Sequence, residues 1–144
     1  MNIETILASK GRDVATVSRS ASLLEAAALL RDHGVGALVV SDDGRTIDGI
    51  VSERDLVRAV AAHGAGGLGR EVATVMTTQV VTCTADGTVD GVMAAMTDRR
   101  VRHMPVVDDA GSLAGIVSIG DVVKHRVDLL ERENHTLNEY IHAR

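Results

Sequence analysis

The sequence predicts an α+β fold made of two copies of one βαββα unit, because the chain is an internal duplication. Residues 14–58 and residues 80–124 follow one pattern at a constant offset, and no gap is needed to align them. The clearest match pairs GIVSERD at residues 49–55 with GIVSIGD at residues 115–121. A repeated unit of this length usually needs its twin to complete a core. A chain of 144 residues is about one domain in size, so we expect two half-domains that lean together.

The first copy shows its signals in the order strand, helix, strand, strand, helix. Residues 14–17 have the pattern of a short strand. Ser22 is the expected N-cap of the helix that follows, since Glu25 stands three residues later in capping-box spacing and apolar residues then recur at helical intervals. The remaining predicted elements are strands at 37–40 and 47–51, an acidic turn with a glycine at 42–44, and a helix that begins near Ser52.

The second copy repeats this order. Thr88 is the expected N-cap, and the apolar face of its helix is formed by residues 89, 92, 93 and 96. Gly91 stands where the first copy has Glu25, so this helix should be less stable by up to about 1 kcal/mol. Strands are predicted at 104–107 and 113–117, and a closing helix begins near Ser118.

A Gly-rich segment at residues 63–74 joins the two copies. It contains GAGGLG at residues 64–69, a literal GxGxxG. Such glycines hold a dinucleotide pyrophosphate only when they lie between a strand and a helix. Here the segment follows a helix and connects two repeats, so we interpret it as a linker.

The C-terminal extension, residues 128–144, is predicted to be helical and continues an apolar seam. The seam residues follow the 4, 3, 4, 3, 4 spacing of heptads: Val123, Val127, Leu130, Asn134, Leu137 and Ile141. A lone Asn at an a position is typical of parallel dimers, in which it sets the register. Two interpretations stay open, because fewer than three heptads is short for a coiled coil. The helix either forms a homodimer contact or folds back on its own domain.

Composition argues against several classes of protein. A net charge of −5 without a Lys/Arg cluster argues against nucleic-acid binding. No run approaches the ~20 apolar residues that cross a bilayer, and the N-terminus lacks an export signal, so we expect no membrane insertion. Cys83 is the single cysteine and is interpreted as a buried structural thiol, which favours a cytoplasmic location. The six histidines form no zinc motif, so no metal site is expected.

The repeated Gly-x-x-Ser-x-x-Asp motif permits two interpretations. Ser52 with Asp55, and Ser118 with Asp121, could simply cap the closing helices. The same geometry also presents helix amides and a hydroxyl to an anion, and the carboxylate is suited to accept hydrogen bonds from the two hydroxyls of a ribose. Arg54 lies in a first helical turn, where it opposes the helix dipole; phosphate pairing would offset that cost, and a solvated surface arginine is the alternative. Hydroxyl for phosphate and carboxylate for ribose indicate a nucleotide.

Four motifs, in this order of elements, resemble those of a CBS-domain pair, or Bateman module. They are VGALVV at 35–40, VRHMPV at 101–106, both GIVSxxD segments and VMT at 75–77. The resemblance extends from about residue 8 to about residue 127. It implies two pseudo-symmetric βαββα CBS repeats, residues 8–62 and 75–127, packed sheet to sheet about a pseudo-twofold axis. It also implies adenosine-type ligands in two clefts between the repeats.

In such modules, each cleft takes its ribose carboxylate from one repeat and its adenine-lining backbone from the other. Carried over by position, the resemblance implies one cleft formed by Ser118, Gly120 and Asp121 with Val35, Gly36 and Ala37. It implies a second cleft formed by Ser52, Arg54 and Asp55 with Val101, Arg102 and His103. We refer to these as the Asp121 cleft and the Asp55 cleft.

The two clefts are not chemically equal, so we expect unequal affinities. Arg54 matches Gly120 in the other repeat, and Arg54, Arg102 and His103 favour phosphate in the Asp55 cleft. Asp86 near that cleft, and Arg19 with Ser20 near the other, favour the Asp121 cleft instead. The sequence leaves open which cleft fills first. His103 is interpreted as a neutral strand residue, with pH-dependent phosphate pairing as the alternative.

These features predict a regulatory protein that binds an adenine nucleotide: AMP, ADP, ATP or NAD(H). The nucleotide would change the angle between repeats or protomers, and an unidentified regulated protein would respond. A small enzyme using Asp55 or Asp121 is disfavoured, because no nucleophile–base arrangement or carboxylate cluster is present, and no catalytic residue or cofactor is assigned. A structural or protein-interaction module that binds no nucleotide is the remaining alternative.

Overall fold

The computed structural model describes residues 1–142, in which two three-stranded sheets are combined with five α-helices. The first repeat contains β1 (Thr16–Val17), α2 (Leu23–His33), β2 (Ala37–Val40), β3 (Gly49–Ser52) and α3 (Glu53–His63). The second contains β4 (Cys83–Thr84), α4 (Val89–Arg99), β5 (His103–Val107), β6 (Leu113–Ser118) and α5 (Ile119–His142). A further helix, α1 (Ile3–Lys10), precedes the first repeat. The α+β class and the βαββα order of each repeat are confirmed.

Each sheet has the same topology. The first strand of a repeat pairs in parallel with the second, which pairs antiparallel with the third. The register places Ser52 beside Ala37 in one sheet and Ser118 beside His103 in the other. β3 begins at Gly49, two residues later than predicted, because the Asp43 carboxylate accepts amide hydrogen bonds from Arg45 and Thr46 and holds the chain in a turn.

The predicted helix N-caps are present. Ser22 forms a reciprocal capping box with Glu25, and Thr88 accepts a hydrogen bond from the Gly91 amide. α2 ends at Gly34 in the left-handed conformation, whereas α4 ends at Arg100 with a φ of 55°. The equivalent helix ends of the two repeats are therefore made by different residues.

Each repeat's core is completed by the segment that precedes the other repeat. Ile3 and Leu7 of α1 are buried with Met104 and Val117 of the second repeat. Val72 is buried in the core of the first repeat. The sequence analysis did not identify α1, because its apolar residues lie outside the aligned copies.

The segment at 63–74 is an ordered part of the fold. It forms two 3₁₀ turns, Ala65–Gly69 and Val72–Thr74, and the Val72 amide donates to the carbonyl of Ala21. The GAGGLG stretch follows α3 and leads into the second 3₁₀ turn, so it is not the strand–helix junction that a dinucleotide fingerprint requires.

The closing helix α5 is continuous for 24 residues. Only Val122 on it is buried, and the seam residues from Val123 to Ile141 that the sequence marked as apolar are exposed. The helix does not fold back over its own domain. The last two residues of the predicted extension lie outside the described residues. No helix within residues 1–142 is both long and apolar enough to span a membrane.

Candidate functional site

A cavity of about 370 Å³ lies between the two repeats. All six residues predicted for the Asp55 cleft line it: Ser52, Arg54, Asp55, Val101, Arg102 and His103. Gly36 and Ala37, which were predicted for the other cleft, line this same cavity. Its apolar wall comes from Ile50, Val80, Val81 and Val101. A flat ring in this cavity would therefore pack against aliphatic side chains. The only aromatic residue in the sequence, Tyr140, does not line the cavity.

The Asp55 carboxylate is held at the junction between β3 and α3. Its Oδ2 atom accepts hydrogen bonds from the Ser52 amide, at 2.8 Å, and from the Ser52 hydroxyl, at 3.1 Å. Both serine–aspartate pairs do close capping boxes on their helices, as the first interpretation of the motif expects. Within residues 1–142, the Oδ1 atom of Asp55 has no hydrogen-bond partner. A ligand hydroxyl in the cavity can use that oxygen.

Four arginines surround the same cavity: Arg54, Arg58, Arg100 and Arg102. Among the described residues, none of the four guanidinium groups has a carboxylate oxygen within 4.0 Å. Glu53 and Asp55 are the two carboxylates in the cavity lining, so four positive charges stand against two negative ones. This local excess occurs in a chain whose net charge is −5. Unpaired guanidinium groups at one cavity are suited to bind phosphate oxygens.

Arg58 and Arg100 are residues that the sequence analysis missed. Arg58 lies four residues after Arg54, so both project from one face of α3. Arg100 occupies the position equivalent to Gly34, and its left-handed backbone costs about 1 kcal/mol for a residue with a Cβ atom. Comparing the two repeats position by position would have revealed this glycine-to-arginine difference.

His103 lies in the cavity wall and faces the first repeat. Burial lowers its pKa, and the nearby Lys10 and Arg102 lower it further, while Asp121 and Glu53 act in the opposite direction. The ring is therefore neutral at pH 7. A Cβ atom placed on Gly36 would lie 2.9 Å from Glu53 Oε1 and 3.2 Å from His103 Cε1. The two repeats approach each other closely here, so a larger residue at position 36 would push the Glu53 side chain and the His103 ring aside.

At the predicted Asp121 cleft, the carboxylate is paired with a lysine of the same chain. Lys10, at the end of α1, places its Nζ atom 2.6 Å from Asp121 Oδ2 and 3.0 Å from the Ile116 carbonyl oxygen. Ser118, Gly120 and Asp121 are absent from the cavity lining, and Val35 lies in a separate groove between α2 and α3.

The Lys10 contact also sets the ionisation of Asp121. Burial raises the pKa of the Asp121 carboxyl, but the hydrogen bond and charge of Lys10, together with the Ser118 hydrogen bonds, outweigh burial and hold the pKa below its usual value. The carboxylate is ionised and already paired with a cation of its own chain. A ribose would have to compete with an ammonium group for it.

Three of the four arginines at the cavity have a glycine at the equivalent position of the other repeat, and the fourth, Arg58, has Lys124. The positions equivalent to Arg54, Arg100 and Arg102 in the other repeat are Gly120, Gly34 and Gly36. Asp86, the residue that argued against phosphate near Asp55, does not line the cavity; its carboxylate accepts a hydrogen bond from Thr84. The two sites therefore differ in charge: arginines line the Asp55 cavity, and Asp121 is paired with Lys10.

Comparison with known proteins identifies close relatives of this chain. A family model described as CBS domain matches residues 8–62 and residues 72–128. A mitochondrial CBS-domain-containing protein of Arabidopsis thaliana, CBSX3, is 38% identical over 124 residues; the match covers 83% of this chain but 60% of the plant protein. The crystal structure of the CBS-domain-containing protein ATU1752 from Agrobacterium tumefaciens is 49% identical, with a TM-score of 0.82, and covers 87% of this chain and 98% of that one.

Two other similar structures contain ligands. The CBS-domain protein PAE2072 from Pyrobaculum aerophilum, in complex with AMP, is 27% identical with a TM-score of 0.77 over 91% of this chain and 97% of its own. The CBS-domain pair of the protein MJ0100, in complex with 5′-methylthioadenosine and S-adenosyl-L-methionine, is 26% identical with a TM-score of 0.78 over 89% and 97%. Both proteins bind molecules that contain adenosine.

Proposed function

Because the chain belongs to the CBS-domain family and carries two such domains in tandem, we propose that it is a regulatory protein that binds an adenine nucleotide in the Asp55 cleft. A regulated partner would respond to the occupied form. The observation that carries this proposal is one cavity that combines a carboxylate with a free oxygen and four arginines without carboxylate partners. The carboxylate matches the ribose hydroxyls of a nucleotide, and the arginines match its phosphate.

Each part of the ligand has a matching region of the cavity. The ribose hydroxyls donate to Asp55 Oδ1, and the phosphates pair with the guanidinium groups. The adenine ring packs between aliphatic residues such as Val80 and Val101. The neutral His103 ring lies beside this region and adds no charge to it.

Charge favours a phosphorylated ligand over S-adenosyl-L-methionine. AMP, which PAE2072 binds, carries a negative phosphate, whereas the sulfonium group of S-adenosyl-L-methionine is positive. Four guanidinium groups near the cavity attract the first and repel the second. ADP, ATP and NAD(H) add further phosphate charge and remain candidates alongside AMP.

The proposal assigns one nucleotide to each chain. The Asp121 carboxylate is paired with Lys10, and glycines stand at the positions equivalent to Arg54, Arg100 and Arg102 of the Asp55 cleft. We propose repeat limits of 8–62 and 75–127, with the 63–74 segment between them. The cytoplasmic location stays a prediction.

Calorimetric titration with AMP, ADP, ATP, NADH and adenosine tests the proposal. We expect saturable binding at one site per chain. Asp55→Ala should weaken it about 10- to 100-fold, since a hydrogen bond to a charged group contributes roughly 1.5–3 kcal/mol. Asp86→Ala is the matched control, because it removes a carboxylate outside the cavity and should leave affinity unchanged.

The arginines are tested by comparing AMP with adenosine. Arg102→Ala should weaken AMP binding but leave adenosine binding unaffected, because adenosine lacks the phosphate. If Asp121→Ala lost affinity and Asp55→Ala did not, the ligand would bind in the Asp121 cleft and the proposal would be wrong. A wild-type protein that binds none of these compounds would favour the alternative, a module that only interacts with proteins.

A further inference from the structure

Along most of its length, α5 carries an apolar stripe that its own domain does not cover. Leu130, Leu137 and Ile141 are 50%, 60% and 63% exposed, and Val123 and Val127 are 46% and 45% exposed. These residues share one face of a single continuous helix. Scattered exposed apolar residues are ordinary, but a stripe with heptad spacing along a helix is typical of a helix–helix interface.

The polar residue within the stripe indicates which kind of helix covers it. Val127, Asn134 and Ile141 occupy a positions, and Leu130 and Leu137 occupy d positions. In a parallel in-register pair, Asn134 faces Asn134 of the partner subunit, and the two amides can hydrogen-bond to each other. In an antiparallel pair, a positions face d positions, so the buried amide would lie against leucine without a partner.

The charges that flank the stripe fit the same arrangement. In this heptad assignment, Arg126 is at a g position and Glu131 is at the following e position. Parallel pairing brings each Arg126 next to the partner's Glu131, which gives two opposite-charge contacts per dimer. Within its own chain, Arg126 is 3.6 Å from Asp90 through one nitrogen, and its side chain is still 45% exposed. It can reach the partner from that position.

The shortness of the seam is offset by the way the helix is anchored. An isolated helix must first form a nucleus, which is unfavourable in water. Here α5 starts at the end of β6, and its Val122 is buried in the core of the second repeat. The helix is therefore already formed before association, and less ordering entropy is lost when two copies pair.

We propose that α5 pairs with α5 of a second copy of this chain as a parallel, in-register two-stranded coiled coil. The dimer is held by the a and d residues from Val123 to Ile141, and Asn134 sets its register. The proposal does not depend on nucleotide binding, because the seam shares no residue with the cavity.

The first test measures the molar mass of the full chain by light scattering during size exclusion, and the dimer dissociation constant by ultracentrifugation. We expect a dimer, and Leu137→Glu should weaken dimerisation at least about 100-fold, since two leucines leave the seam and two like charges face each other. Thr136→Glu is the matched control: it adds the same charge one position earlier, off the seam, and should leave the dimer intact. Circular dichroism checks that both variants stay folded.

The second test determines orientation. Leu130→Cys and Leu137→Cys are made singly in a Cys83→Val background and oxidised. A parallel in-register dimer cross-links at both positions, whereas an antiparallel dimer can cross-link at one at most. A monomeric wild type, a dimer unaffected by Leu137→Glu, or cross-linking at fewer than both positions would overturn the proposal.

Discussion

At the scale of single residues, the two repeats differ most at positions where one has arginine and the other glycine. Arg100 and Gly34 end equivalent helices in the same left-handed conformation, which glycine adopts freely and arginine does not. Backbone strain of this kind is found most often at functional sites. Arg100 lines the cavity. The same residue therefore has a strained backbone and a side chain that we propose binds phosphate.

This residue provides a test that separates stability from binding. We expect Arg100→Gly to raise the free energy of unfolding by about 0.5–1 kcal/mol, because the left-handed strain is removed, and to weaken nucleotide binding at the same time. Denaturant unfolding and calorimetry measure the two effects. Gly34→Ala is the control: at its φ of 63° it should destabilise the fold without changing affinity. A variant that loses stability together with affinity would show that Arg100 acts through folding instead.

A second residue-scale prediction concerns Cys83. Cys83 is half-buried rather than fully buried, and this partial burial raises the pKa of its thiol to about 11, so little reactive thiolate exists near neutral pH. We expect alkylation by iodoacetamide at pH 7.5 to be much slower in the folded protein than in urea. Equal rates in the two states would show that the side chain is accessible and that the structural interpretation of this cysteine is wrong.

At the scale of elements, α1 connects the N-terminus of the chain to the second repeat. Ile3 and Leu7 complete that repeat's core, and Lys10 pairs with Asp121 at the start of α5. The repeated motif predicted Asp121 as a ligand-binding residue. In the structure, Lys10 of α1 is already paired with its carboxylate. An element outside the aligned copies thus makes the two clefts unequal.

The Lys10–Asp121 pair should be visible in acid unfolding. The pKa of Asp121 is lower in the folded state than in the unfolded state, so the pair stabilises the fold above the unfolded pKa of about 4 and this contribution is lost as pH falls through the folded pKa. We expect Lys10→Met to lower the stability at pH 7 by about 0.5–1 kcal/mol and to reduce the loss between about pH 5 and 3. Lys124→Met, on the exposed part of α5, serves as the control. Identical acid profiles for wild type and Lys10→Met would contradict the assignment.

At the scale of the whole molecule, the repeats are interlocked. α1 belongs by packing to the second repeat, and the 3₁₀ turn with Val72 belongs to the first. The cavity is also lined by residues from both repeats. Each half therefore needs the other for its core, and a ligand in the cavity contacts both.

We expect the protein to unfold in one cooperative transition. A nucleotide at 100 times its dissociation constant should stabilise the folded state by about 2.7 kcal/mol and shift that single transition as a whole. Differential scanning calorimetry with and without nucleotide measures both features. Two transitions, or a shift confined to one of them, would show that the repeats fold separately.

The sequence by itself determined the repeated βαββα order and the helix caps. These follow from capping spacing at Ser22 and Thr88, from strand periodicity, and from a motif repeated at a constant offset, all of which can be seen without knowledge of the fold. The six residues assigned to the Asp55 cleft came instead from the resemblance to a CBS-domain pair, because Ser52 and His103 are far apart in the chain and only a known fold brings them together.

Only the tertiary structure showed which of the predicted residues share the cavity and which segments cover each core. Lys10 meets Asp121 across 111 positions of sequence, and Arg58 joins Arg100 at one cavity only after the repeats pack. The exposure of the α5 seam likewise depends on where the helix leaves the domain. Contacts between distant segments cannot be predicted from nearby residues in the sequence, because burial and charge pairing depend on how the whole chain packs.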